Sequence, residues 1–315
     1  MDALIKGFAD YLASEFGYSK STILAYRSDA AAFLGYVARH NPEALKARRF
    51  SPEDVLAFLR LEAEAGRRTT TLHRRLASLK VFERYLTESI EGFSPFMPSE
   101  SDGVIEKIIS LGKPPSQPNC LTTEEIARLW NVMLASPKRQ AVRDLAFVAL
   151  MLEWGFSVNL LLSLEIYNVD LKSRKLWVPS LATLGASESG WSLRYSFAPL
   201  VRYLAHGREN LSPREGETRL FISQQGRGLS RQSIWHALRR WGEEAEFEAP
   251  LTPRLLRNTA VHRLLGNGVP LKTISLALGH LNPLSTHLLV RRLKAYCEGY
   301  EVPVLPELSL DDFES

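Results

Sequence analysis

Apolar positions recur at spacings of three and four through the first third of the chain, and the recurrence predicts helices. In SKSTILAYRSDAAAFLGYV, residues Ile23, Tyr26, Ala30, Phe33 and Val37 fall on one helical stripe. Leu72, Leu76, Leu79, Phe82 and Leu86 do the same within RRTTTLHRRLASLKVFER. There the pairs Arg67/Arg68 and Arg74/Arg75 recur after seven residues, which predicts one basic side two turns apart opposite an apolar one. Between Pro98 and Gln117 clusters of Pro, Gly and Ser surround a single short apolar segment, the pattern of a linker. LTTEEIARLWNVML then opens a second helical region with a capping box, Thr122 or Thr123 ahead of Glu125. RKLWVP, RYSFAPL and LFIS are short β-prone runs, enough for a small sheet. From Ser230 the helical spacing returns. The predicted fold class is mainly α with a small antiparallel sheet (α+β). The predicted division is a helical domain 1–97, a linker 98–119, a second domain 120–297 and a tail 298–315.

Composition changes this picture little: 315 residues, 45% hydrophobic and 23% charged, describe an ordinary globular chain long enough for two cores. No apolar run reaches the roughly 18 residues of a membrane span. The N-terminus MDALIKGFADYLASEF lacks the basic flank and cleavage signature of a signal peptide. A cytoplasmic location and no membrane partner are expected. The only cysteines, Cys120 and Cys297, lie far apart in sequence, so two reduced thiols are expected, with no disulfide framework and no cysteine metal site.

The charge distribution says more than the net charge of +4. From Leu251 to Cys297 there are seven basic residues (Arg254, Arg257, Arg263, Lys272, Arg291, Arg292, Lys294) and no acidic one. The Arg67–Arg84 block adds six against Glu83, and the tail EGYEVPVLPELSLDDFES carries six carboxylates with no Lys or Arg. A single charge run usually marks a solvated face. Two basic blocks in separate helical regions point to a phosphate backbone. At the start of LTPRLLRNTAVHRLL, Arg254 and Arg257 share the first turn of a helix, where backbone N–H groups already favour an anion.

LTPRLLRNTAVHRLLGNGVPLKTISLALGHLNPLST resembles the C-terminal signature of the tyrosine recombinase/phage integrase family: His-x-Leu-Arg-His-Thr, a helix, Leu-Gly-His and a downstream tyrosine. GFSVNLLLSLEIYNVDL is similar to the family's Gly-Leu-Arg-Val-Ser-Glu-Leu segment, and the two N-terminal helical stretches resemble the core-binding domain of Xer-type members. The resemblance covers about residues 1–295 in the family's order. It implies a helical SAM-like core-binding domain followed by a recombinase catalytic-type domain, clamping duplex DNA between them.

In the family a tyrosine cleaves the strand while arginines, a lysine and histidines hold the scissile phosphate and move protons. Matched residue by residue, this chain departs from that set. The first family arginine is Ser157 and the nearby glutamate is Leu160. Serine supplies neither a fixed cation nor a bidentate grip. No lysine lies between Lys175 and Lys272, where the family lysine belongs in a turn between strands. Arg254 stands at the first histidine of the second motif, Arg257 at the second arginine, Asn258 at the following histidine, and His280 at the histidine of Leu-Gly-His. The nucleophile position, nine residues beyond His280, is Leu289. Losing one charge-stabilising donor costs on the order of 10²–10³ in rate, a phosphoryl-stabilising arginine about 10³–10⁵, and losing the nucleophile closes the covalent route. Ser157 and Asn258 read as neutral fillers of a relaxed site.

The resemblance thus implies a DNA-binding, catalytically degenerate protein with an architectural or regulatory role in recombination, integration or chromosome or plasmid maintenance, associated with the nucleoid. Its contact residues are expected to be Lys20, Arg27, Arg67, Arg68, Arg74, Arg75, Lys80, Arg231, Arg254, Arg257, Lys272 and His280. No metal or organic cofactor is implied. Two alternatives stay open. One is an active recombinase with a displaced nucleophile, Tyr296, seven residues past Leu289 and so about 10 Å further along a helix. The other is a protein-interaction adaptor without DNA binding. The tail, with Val302, Val304, Leu305, Leu308 and Leu310 among its carboxylates, is expected either to dock on a second copy or an active recombinase or to be disordered. Trp154, Trp177, Trp191, Trp235 and Tyr203 are expected to pack the core.

Overall fold

Local sequence rules account for where the helices start. Ser51 accepts the Asp54 N–H while Asp54 accepts the Ser51 N–H, with Pro52 at the first helical position. Thr122 and Glu125 form the same reciprocal box, as the sequence predicts. The computed structural model describes residues 2–18, 20–98, 103–113, 120–182, 190–280, 283–297 and 299–313. The chain divides into two compact units, Met1–Ser116 and Gln117–Ser315.

The first unit is all helical: α1 (Asp2–Ser14), α2 (Lys20–His40), α3 (Pro42–Ala47), α4 (Pro52–Glu64), α5 (Thr69–Ser89) and α6 (Val104–Ser110). Both sequence stripes reach its core. Ala30, Phe33 and Val37 of α2 meet Leu79, Phe82 and Leu86 of α5 around Phe8 and Phe58. Glu83, the one acid of the basic block, turns its carboxylate to the backbone N–H groups of Phe96 and Met97 and so seats Phe96 on Phe33, ring centroids 5.7 Å apart. The expected linker starts later than its composition suggests. Ile105 and Ile109 of α6 are buried against Ala63 and Leu72, and Lys113 exchanges backbone hydrogen bonds with Arg67 and Thr69, so this apolar segment completes the first unit. Residues 99–102 and 114–119 of that stretch lie outside the described residues.

One basic pair is structural. Arg75 is buried, its Nη1 2.5 Å from Glu62 Oε2 and its guanidinium 5.4 Å from the Phe58 ring centroid; Arg74 ion-pairs with buried Asp29. The seven-residue recurrence does not keep Arg75 on the outer side, because Glu62 on α4 and Asp29 on α2 draw it inward, while Arg74 stays partly exposed as it pairs with Asp29.

The second unit is built on α8 (Ala141–Trp154), which is buried on nearly every side and reads hydrophobic all round for that reason. Around it pack α7 (Thr123–Leu134), α11 (Phe197–Arg202) and α13 (Pro253–Gly266), with α9 (Val158–Ser163), α10 (Pro179–Ala182), α12 (Arg231–Glu244), α14 (Leu271–Ala277) and α15 (Pro283–Tyr296) completing the helical set. Buried Asp144 joins α8 to α12, accepting from Arg143 at 2.8 Å and 2.6 Å and from Trp241 Nε1 at 2.8 Å.

The sheet is three short antiparallel strands in the order β1 (Val169–Asp170), β2 (Lys175–Leu176) and β3 (Trp191–Ser192). RKLWVP supplies β2 as expected. RYSFAPL does not make a strand: the Glu153 carboxylate gathers the N–H groups of Arg194, Tyr195 and Ser196, and the chain enters α11 from there. LFIS contributes only an isolated bridge between Ile222 and Gly228.

Residues 299–313 of the acidic tail pack on their own unit, where disorder is one of the two sequence expectations. Leu305 is buried in the core, Val304 donates its N–H to Thr123 Oγ1 at 3.2 Å, Glu307 ion-pairs with Arg194, and Val302 covers Gly266 so closely that a Cβ there would collide. Val304 and Leu310 stay exposed.

Two stability outcomes follow. Arg75→Met leaves Glu62 and Asp29 short of a cation and should lower unfolding stability by about 3 kcal/mol; an unchanged urea midpoint would contradict the buried pairing. Leu305→Ala should destabilise the second unit by about 2–3 kcal/mol, read in the same denaturation, whereas a tail that does not pack in cis predicts no change.

Candidate functional site

Arg257 lies one turn into α13, whose start is set by Thr252 accepting the Leu255 N–H and by Pro253. Those two residues already commit part of the first turn's donor set, so an anion here meets side chains more than backbone. Arg254 is exposed and Arg257 half-buried. Among the described residues no carboxylate forms an ion pair with Arg257; its Nη2 donates instead to the Leu278 carbonyl at 2.6 Å and lies 3.0 Å from His280 Nε2. Burial pulls its pKa down to about 10, still charged at neutral pH.

That contact fixes the histidine. Arginine only donates, so Nε2 is the acceptor and the ring proton sits on Nδ1. Nδ1 is 2.8 Å from Thr286 Oγ1, and Thr286, buried, donates to Ser275 Oγ at 2.9 Å. Burial first, and then the Arg257 charge, hold His280 below its ordinary value of 6.5. His280, held by Thr286, thus fixes the position of Arg257 Nη2.

The other matched positions have local structural uses. Ser157 is the N-cap of α9, its Oγ accepting the Leu160 N–H at 3.2 Å. Asn258 is buried within α13. Leu289 is half-buried against the apolar cluster of Val261, Leu264, Ile274, Val290 and Leu293. Tyr296 packs against the same cluster and stacks on Tyr300, centroids 6.0 Å apart. The segment between β2 and β3 contains no lysine, and its residues 183–189 lie outside the described ones.

Of the expected contact residues, Arg231, Arg254 and Lys272 are exposed in the second unit, and Lys20, Arg27, Arg67, Arg68 and Lys80 in the first. Arg67 also ion-pairs with Glu62 at 3.0 Å. Arg75 is withdrawn from that set by its burial, and Arg74 is engaged by Asp29. Arg263, counted in the acid-free stretch, is also buried: it donates to the Leu152 and Glu153 carbonyls that end α8. Trp177 and Trp235 do not pack the core; they are 39% and 48% exposed, with Trp235 one helical turn beyond Arg231. Trp191 and Tyr203 are buried as expected. The i, i+4 pairing of Arg231 with Trp235 was available in the sequence as a sign of a surface patch. A second unforeseen grouping is Cys120, His262 and Cys297, the one cluster of possible metal ligands among the described residues.

Residues 119–292 match the phage integrase family, and residues 5–89 match the phage integrase N-terminal SAM-like domain. The chain belongs to the phage integrase family. This member is 27% identical to tyrosine recombinase XerD of Oceanobacillus iheyensis, over 95% of this chain and 98% of that one. It is 26% identical to tyrosine recombinase XerC of Herpetosiphon aurantiacus over the full length of both. Among solved structures, XerH site-specific recombinase bound to palindromic difH substrate is similar with a TM-score of 0.67 at 15% identity, covering 88% of this chain and 78% of that one. The Tn1549 transposon integrase in complex with transposon right end DNA is similar with a TM-score of 0.66 at 14% identity, covering 94% and 99%. These likenesses show the integrase fold.

The neutral His280 of this integrase carries a pH signature. A group whose pKa is lowered on folding adds stability that is fully present above its unfolded value and is lost as pH falls through the folded value. Thermal stability should therefore fall on acidification below about pH 6.5. His262 is lowered too, by burial, so His280→Asn should flatten the slope in part. Melting curves across that range check this; a slope identical to wild type would contradict a His280 pKa lowered by folding.

Proposed function

We propose that this integrase-family protein binds duplex DNA through basic surfaces on both units and does not cleave it, acting in an architectural or regulatory role in DNA recombination or integration. The observation that carries the reading is Leu289: the position matched to the family nucleophile holds an aliphatic side chain that contributes to an apolar cluster. Ser157 supports it, because a helix N-cap stands where the family places a phosphate-gripping arginine. The DNA-bound states of the XerH and Tn1549 structures support duplex DNA as the ligand.

Arg257 is the centre of the proposed grip. A charged guanidinium that is half-buried with no carboxylate partner among the described residues gains from an incoming phosphate, which supplies a counter-charge. Its histidine partner, neutral and acceptor-only at Nε2, leaves that charge uncompensated. Exposed Arg254, Arg231 and Lys272 extend the basic surface, and such contacts set register on the backbone without reading bases.

Affinity for duplex DNA should fall steeply with salt as condensed counterions are released. Arg254→Ala should weaken binding on all sequences alike and reduce the log–log salt slope by about 1. A supercoiled plasmid held at saturating protein should keep its superhelicity. Salt-insensitive or absent binding would overturn the DNA assignment, and plasmid relaxation would overturn the inactive one.

A further inference from the structure

Cys120 and Cys297 are 177 residues apart in sequence, yet their Sγ atoms stand 3.3 Å apart. His262, halfway along α13, joins them: one ligand atom from each of the three lies within 4.8 Å of the other two. Cys297 is buried and the other two are half-buried. The His262 Nδ1 is buried and has no hydrogen-bond partner among the described residues. Folded chains seldom leave a buried nitrogen in that condition.

We infer that Cys120, His262 and Cys297 form a binding site for zinc(II). Two thiolates and an imidazole are the donor set that a borderline-soft, tetrahedral ion takes. Zinc–sulfur bonds of about 2.3 Å and a zinc–nitrogen bond of about 2.0–2.1 Å place tetrahedral ligands roughly 3.5–3.8 Å from one another. The three atoms meet that spacing with small side-chain adjustments. A disulfide is the rival use of the two sulfurs, but it draws them to about 2.05 Å, needs an oxidant, and makes no use of the imidazole beside them. An ion accounts for all three groups.

Binding is a proton exchange without redox chemistry. Both thiols lose their protons to solvent, the two sulfur lone pairs and the imidazole lone pair fill three positions on the ion, and no bond between protein atoms forms or breaks. Cys120 and His262 line a cavity of about 250 Å³ together with Glu124 and Glu301, so the site lies beside open space.

The ligands come from three distant segments: the entry to the second unit, the middle of α13 and the residue that follows α15. Zinc would thus tie α15, which carries Leu289 and Tyr296, to α13, which carries Arg254 and Arg257. The site fixes the helix bearing the family's nucleophile position to the helix bearing the proposed phosphate grip.

The full chain, stripped with chelator under reducing conditions, should bind cobalt(II) at one equivalent, with thiolate-to-cobalt charge-transfer and intense tetrahedral d–d bands that zinc(II) bleaches. Zinc(II) alone should raise the melting temperature of the wild-type chain, a readout that stands even where a variant fails to fold. Cys120→Ser and Cys297→Ser should each diminish the charge-transfer band. His262→Ala should shift the d–d bands and weaken binding by about tenfold or more. Two titratable thiols with no cobalt bands would overturn the site, as would loss of both thiols to a disulfide in the purified protein. Cobalt binding unchanged in His262→Ala would overturn it as well.

Discussion

The end of α8 against α13 is the constraint on which the second unit depends. Gly155 terminates α8 with φ +73°, and a Cβ there would stand 3.1 Å from Leu278 and 3.5 Å from Ala260. Only glycine meets both the backbone angle and the close approach without strain. At the same junction Arg263 satisfies the last α8 carbonyls, and the Glu153 carboxylate organises the chain entering α11. This packing brings Gly155, Arg257 and the Leu278–His280 turn to one place although they are scattered over more than a hundred residues.

Electrostatics there follow from what the junction leaves out. The acid-free stretch supplies Arg257 with the Leu278 carbonyl and the His280 imidazole, and among the described residues no carboxylate neutralises its charge. Arg75 in the first unit shows the opposite arrangement: with Glu62 beside it and Asp29 3.7 Å away, its charge serves packing. Basic residues of equal standing in the sequence thus divide into buried ones, held by carboxylates or carbonyls inside the fold, and exposed ones.

Much of the fold was legible because periodicity and capping are local. The stripes of α2 and α5, the Thr122–Glu125 box and the β2 strand follow from residues close in sequence. RYSFAPL misled because its fate is decided by Glu153, some forty residues earlier, and α6 hid in a Pro/Ser-rich context whose burial depends on Leu72 and Ala63. At the site, Arg257 and His280 could be found through motif spacing, whereas the direction of their hydrogen bond could not. The pairing of Cys120 with Cys297 and His262 left no sequence signal, since ligand spacing over 177 residues matches no compact metal motif.

The proposed phosphate grip without strand cleavage at Arg257 is open to a single decisive test. Its most direct measurement is intact-mass analysis of the chain incubated with a nicked duplex that it binds, where any 3′-phosphotyrosyl intermediate is trapped by escape of the short strand. The predicted spectrum contains unmodified protein alone. A mass increase equal to the cleaved strand, mapped to Tyr296 and abolished in Tyr296→Phe, would contradict the claim and establish an active recombinase with a displaced nucleophile.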